Sequence, residues 1–190
     1  MMRNVAAMLV VVSVVACGRG DAPPPEQAAD TAGTADTAAP AQRSLYDRLG
    51  GISAITTVID SFIARAAADT RINKKFAKTD VPRLRFHLIE QVCNATGGPC
   101  DYTGRDMPTA HRNMSVTDGE FDALVEDLTM TLDQLGVPST EKNELLGILG
   151  PLRAQIVTAP GAATGTALPA AFEPAPPLDS ARLQAGPIRR

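Results

Sequence analysis

Apolar residues return every three to four positions through the middle of this chain. Phe121, Leu124, Val125, Leu128, Leu132 and Leu135 keep the i, i+3, i+4, i+7 spacing that holds one helical face apolar. Thr117 and Glu120 stand three apart ahead of the run, the spacing of a capping box, and Gly136 closes it. After the turn Gly136-Val137-Pro138, a second helix carries Leu145, Leu146, Ile148, Leu149, Leu152 and Ile156, with Ser139 or Thr140 as its expected cap. Pro151 should bend that helix or break it, because proline removes a backbone donor and clashes with the preceding turn.

Upstream the same periodicity predicts two more helices. Gly50-Gly51 separates a short helical turn at Leu45-Tyr46 from a longer run bearing Ile52, Ile55, Ile59, Phe62, Ile63 and Ala66. Another helix is expected from about Asp80 to Ala95, with Asp80 as cap and Pro82 tolerated in the first turn. Gly97-Gly98-Pro99 cannot continue it. No window alternates with the period of a strand, so the predicted class is all-α.

Outside residues 44–157 the pattern disappears. Residues 5–16 are an apolar run behind the single positive charge of Arg3. Twelve helical residues rise only about 18 Å against a hydrocarbon core of about 30 Å, which suits a signal-peptide core in residues 1–16 and not a span. Residues 18–43 are almost all Ala, Pro, Thr, Gly, Asp and Gln. Such a segment cannot bury enough apolar surface to offset chain entropy, and it reads as a disordered tether reaching about 30 Å. Residues 158–190, rich in Pro and Ala, read as a disordered tail.

Composition sharpens this partition. Of 190 residues, 44 % are hydrophobic and only 4 % aromatic, with no Trp, two His and three Cys. Residues 44–157 hold 12 Lys and Arg against 15 Asp and Glu, which accounts for the entire net charge of −3 and argues against a nucleic-acid partner. Neither histidine sits in an HExxH, CxxCH or paired CxxC context. A closed zinc site and covalently attached c-type haem are therefore unsupported by spacing.

The ordered motifs do carry a resemblance. Leu45-Tyr46-Asp47-Arg48-Leu49-Gly50-Gly51 opens the domain, Phe76 precedes Thr79-Asp80, and Gly97-Gly98-Pro99 follows the third helix. Tyr102-Thr103-Gly104-Arg105-Asp106-Met107 comes next, with His111 four residues on; Leu135-Gly136-Val137-Pro138 and Leu149-Gly150-Pro151-Leu152 complete the set. In this order, residues 44–157 resemble a group I truncated haemoglobin. The resemblance implies a two-over-two helical sandwich holding haem b, with His111 as proximal iron ligand and Phe76 packed on the porphyrin face. It also implies that Leu84, Leu88, Ile63, Met107 and Leu124 contact the cofactor, and Arg83 is the preferred partner for a haem propionate.

The distal side departs from the family pattern. Ile63 stands where many members place a tyrosine, and Leu88 where they place a glutamine. Those groups hydrogen-bond bound oxygen, so their loss removes its usual stabilisation; oxygen stays the default ligand, and an exposed His87 would leave a pocket more permissive for carbon monoxide or nitric oxide. His87 matches a position that in some members supplies a sixth ligand; the alternative is an exposed or propionate-contacting histidine. The family likeness implies reversible binding of oxygen, nitric oxide or carbon monoxide, as carrier or in nitric oxide detoxification with a separate reductase. A bis-histidine electron-transfer or redox-sensing protein is the alternative.

The three cysteines divide in two ways. Val14-Val15-Ala16-Cys17 resembles the lipobox of bacterial lipoproteins, which implies cleavage before Cys17, its lipidation, and a membrane-anchored domain facing the periplasm or cell exterior. In an exported chain, oxidising conditions and the Gly-Gly-Pro turn favour a disulfide between Cys93 and Cys100. Closing so short a loop is worth about 2.5 kcal/mol on the chain-entropy model.

Overall fold

The structure, a computed structural model, describes residues 43–187. The expected signal peptide, Cys17 and the tether through residue 42 lie outside the described residues. Eight α-helices occur among the described residues. They are α1 (Leu45–Arg48), α2 (Gly51–Ala68), α3 (Val81–Ala95), α4 (Met107–Ala110), α5 (Asp118–Gln134), α6 (Ser139–Leu149), α7 (Arg153–Ile156) and α8 (Ser180–Ala185). Short 3₁₀ turns lie at Asn73–Phe76 and Gly150–Leu152.

Local chemistry sets these boundaries. Gly50 takes φ 98°, a left-handed conformation open to glycine, and so turns α1 into α2. The Asp80 carboxylate accepts from the Arg83 N–H to start α3. Both halves of the Thr117–Glu120 capping box form at the start of α5. The start of α6 differs from expectation: Ser139 is its first helical residue, Pro138 takes the cap position, and no side chain caps the end. Pro138 fixes its own φ near the value a chain needs just before a helix, but it brings no side-chain acceptor for the first-turn N–H groups. Pro151 breaks the last helix as expected, through the turn at Gly150–Leu152.

α2 lies against both α3 and α5, and α5 packs on α6. The result is two helix pairs stacked on each other, the two-over-two arrangement. The main core is formed by Ile55, Ile59 and Phe62 of α2, Ile89 and Val92 of α3, Leu128 and Leu132 of α5, and Leu145 of α6. Burying one such side chain contributes about 1.5–3 kcal/mol, which makes this core the main source of stability. The Cys93–Cys100 disulfide is present, with a Cα–Cα distance of 5.7 Å, and ties the end of α3 to the loop before α4. Gly98 lets Tyr46 and Cys93 close on that turn: a β-carbon there would lie 2.4 Å from the Tyr46 ring.

The tail corrects a sequence-based expectation. Residues 158–187 are packed on the domain instead of forming a disordered extension. Thr158 and Ala159 donate to the Val116 carbonyl, and Gly119 donates to that of Gly161. Thr166 donates through its N–H and hydroxyl to Glu120. Phe172 is buried with Met114, Val116, Phe121 and Ile156. Proline and alanine argue for disorder, but backbone pairing and one buried aromatic anchor supply what that composition lacks.

Candidate functional site

His111 stands at the C-terminal end of α4, whose first turn is capped by the Asp106 carboxylate. Its Nδ1 lies 2.9 Å from the Met107 carbonyl. A carbonyl only accepts, so Nδ1 carries the proton and Nε2 keeps its lone pair. Burial pushes the His111 imidazole below its ordinary pKa against the opposing Met107 bond, which favours the neutral ring. Two non-glycine residues with left-handed backbone, Asn113 (φ 61°) and Ser115 (φ 52°), turn the chain from His111 towards α5. The buried Lys75 secures that turn by donating to the Met114 and Ser115 carbonyls, and it pairs with Glu120 at 3.4 Å.

His111 lines a cavity of about 300 Å³ between α2, α3, α5 and the α4 segment. This is within the size of small-molecule and cofactor sites. Phe76, Leu84, His87, Leu88, Met107 and Leu124, all expected at the site, line it together with Arg83. Ile63 does not. It packs against the main core, while Val58, Ile59 and Phe62 present α2 to the cavity. Ile63 stands about 100° further round α2 than Phe62, and it lies on the side packed against the core while Phe62 lines the cavity.

The polar groups are few. His87 sets Nδ1 3.1 Å from the Glu90 carboxylate, and its Nε2 is buried with no hydrogen-bond partner. The ring meets Phe86 and Tyr102 edge-on, at centroid distances of 5.4 and 6.2 Å. Burial and the neighbouring Glu90 charge push the Tyr102 hydroxyl up, so it stays protonated and donates to the Arg105 carbonyl at 2.6 Å. Gln91 and Tyr102 also line the cavity, so His87 is not the sole polar group there.

Of the basic residues upstream, Arg83 reaches the cavity rim but donates to the Pro176 carbonyl at 3.1 Å. Arg85 is paired with Asp60, and Lys74 donates to Gly165. Arg105 is an exposed arginine on the rim that sequence reasoning passed over. The tail was missed as well: Phe172, Glu173, Pro174 and Ala175 form part of the wall. A signal for it existed, because Phe172 is the one aromatic outside residues 44–157.

Known proteins share the fold of residues 44–158. The family model for "Bacterial-like globin" matches residues 44–158. A group 1 truncated hemoglobin of Mycolicibacterium paratuberculosis is 36 % identical over 115 residues, 60 % of this chain and 85 % of that protein. One from Synechocystis is 36 % identical over 111 residues, 56 % of this chain and 90 % of that protein. Among solved structures, the truncated hemoglobin of Tetrahymena pyriformis in its Fe(III) form matches with a TM-score of 0.59 at 30 % identity, covering 60 % of this chain and 98 % of that one. The 2/2 hemoglobin of Synechococcus, in a cyanomet state with covalently attached heme, gives 0.56 at 32 % identity, over 60 % and 95 %.

Proposed function

The chain belongs to the bacterial-like globins, among the group 1 truncated haemoglobins, and on that premise we propose that it holds haem b at His111 and reversibly binds small diatomic gases. One observation carries the reading: two imidazoles line a single apolar cavity, each with an acceptor at Nδ1, and the buried Nε2 of His87 has no hydrogen-bond partner. A buried polar atom without a partner costs about 1–3 kcal/mol, so a site that keeps one is expected to receive something there.

The residues fit a haem. Neutral imidazole is a common iron ligand, and a carbonyl on the opposite nitrogen fixes its tautomer, as Met107 does for His111. Phe76, Leu84, Leu88, Leu124 and Leu128 supply an apolar wall, and Arg83 and Arg105 stand at the rim where propionate carboxylates would need cations. Haem supplies the iron at which a gas binds. Leu88 offers no hydrogen bond to a polar gas ligand, which favours carbon monoxide or nitric oxide. His87, with Gln91 and Tyr102 nearby, is the polar group available to oxygen.

The unpartnered Nε2 of His87 also supports a second reading, a bis-histidine haem for electron transfer or redox sensing. Carbon monoxide titration of the reduced, haem-loaded protein separates the two. Saturable uptake of one gas molecule per haem supports gas binding; refusal of carbon monoxide supports the electron-transfer reading.

Export and lipid anchoring at Cys17 belong to the same reading, supported by the apolar run of residues 5–16 and the sequence Val14-Val15-Ala16-Cys17. Cys17→Ser should move the protein from the membrane fraction to the soluble one. Unchanged fractionation would remove the anchor from the account. Turnover of nitric oxide would draw on a separate reductase.

A further inference from the structure

Glu90 is fully buried, yet it carries a carboxylate on the same face of α3 as His87, three residues away. Every group around it donates. Its Oε2 takes hydrogen bonds from His87 Nδ1 (3.1 Å), from the Thr103 N–H (3.0 Å) and from the Thr103 hydroxyl (2.7 Å). Its Oε1 faces Arg182 Nη2 at 3.2 Å. Arg182 comes from α8, beyond residues 44–158 that match the family; it donates as well to Thr103 Oγ1 at 3.0 Å and stacks 4.9 Å above the Phe86 ring.

We propose that Glu90 is a positioning residue for the distal histidine: its carboxylate holds His87 in the Nδ1–H tautomer, with Nε2 presented to the cavity, and Thr103 and Arg182 hold the carboxylate in turn. The inference rests on the reading that this cavity receives haem.

The chemistry follows from the hydrogen-bond inventory. A neutral imidazole has one N–H and one lone pair, and the partner on one nitrogen decides the role of the other. An acceptor fixed at Nδ1 makes Nε2 the ligating nitrogen. A carboxylate acceptor also increases the electron density of the ring, so His87 becomes a better ligand than it would be against water. Leaving a carboxylate in this interior without donors would be costly. Thr103 and Arg182 make its retention intelligible, and they link the distal side to the C-terminal segment.

Two measurements test this. In haem-free protein, long-range proton–nitrogen correlation spectra report the His87 tautomer directly. Wild type should show Nδ1–H, and Glu90→Leu should show a mixture of tautomers. In haem-loaded protein, absorption spectra and midpoint potentials are compared for wild type, His87→Ala, Glu90→Leu and Glu90→Gln. Glu90→Leu should lower the six-coordinate fraction, with about tenfold or greater weakening of the His87 contact, as is typical for loss of a partner behind a metal ligand.

Glu90→Gln keeps an acceptor and the shape of the site, so it remains informative if the leucine variant fails to fold. It should keep the wild-type tautomer but raise the midpoint potential. A tenfold loss of preference for ferric iron corresponds to about 59 mV in a one-electron couple. If His87→Ala leaves the haem spectrum unchanged, the haem-facing reading of His87 fails and takes the inference with it. If His87→Ala changes the spectrum while the Glu90 variants leave tautomer and potential at wild-type values, the inference alone is overturned.

Discussion

The Ala162 carbonyl occupies the space that a side chain on Gly119 would need: a β-carbon there would come within 2.3 Å of the oxygen. Gly119 lies in the first turn of α5 and donates its N–H to Gly161. Helix propensity alone favours alanine at a helical position by about 1 kcal/mol, but here the neighbour is backbone and cannot rotate away. Gly119→Ala should therefore loosen residues 158–166, seen as faster amide hydrogen exchange there and a lower Tm. Gly147, inside α6 with open space where a β-carbon would stand, is the control. Gly147→Ala should leave exchange in the tail unchanged and raise stability by about 0.5–1 kcal/mol.

Removing the tail should weaken haem retention. Phe172 to Ala175 form part of the cavity wall, and Phe172 is the buried anchor of the segment. Losing the burial of one aromatic costs about 1.5–3 kcal/mol. Truncation after Val157, or Phe172→Ala in the full chain, should speed haem transfer to an excess scavenger by about tenfold or more. Equal transfer rates would mean that the segment covers the cavity without helping to hold its contents.

The Cys93–Cys100 bridge can be weighed separately. Both residues are completely buried. The double variant Cys93→Ala/Cys100→Ala should lose about 2.5 kcal/mol on the chain-entropy model, read as a lower denaturant midpoint with little change in slope. Adding reductant to wild type should reproduce most of that loss.

Acid should weaken the fold through Glu120. Burial raises this carboxyl, but hydrogen bonds from Thr166 and Thr117 and the Lys75 charge outweigh it and hold it below its ordinary value of 4.5. A lowered folded-state pKa contributes stability that is complete above 4.5 and is lost as pH falls through the folded value. Asp127 runs the other way, because burial and Asp69 raise it. Chemical denaturation in haem-free protein between pH 6 and 3 should show stability falling below about pH 4.5. Glu120→Gln should be less stable at neutral pH and show a shallower fall.

Much of the fold was legible because amphipathic period and cap chemistry are local. Thr117, Glu120, Asp80, Gly50 and Pro151 each act on their own turn, and each appears where the pattern put it. The start of α6 escaped because Pro138 and Ser139 both suit a helix entrance and only the backbone decides between them. Ile63 matches a family position expected at the cofactor, whereas the roll of α2 turns Phe62 and Ile59 to the cavity. Glu90 and Arg182 were invisible in one dimension, since their meeting depends on where the tail crosses α3. Composition misjudged that tail because it averages over residues, and a single Phe172 with a few backbone bonds is enough to dock it.

The central claim is that His111 holds haem in the cavity it lines, and haem titration of purified wild type beside His111→Ala tests it most directly. Wild type should take up one haem per chain with a sharp Soret endpoint. His111→Ala should lose affinity by about tenfold to a hundredfold or more and change the spectrum of whatever haem remains. Stoichiometric uptake by His111→Ala with the wild-type spectrum, or no uptake by wild type, would contradict the account.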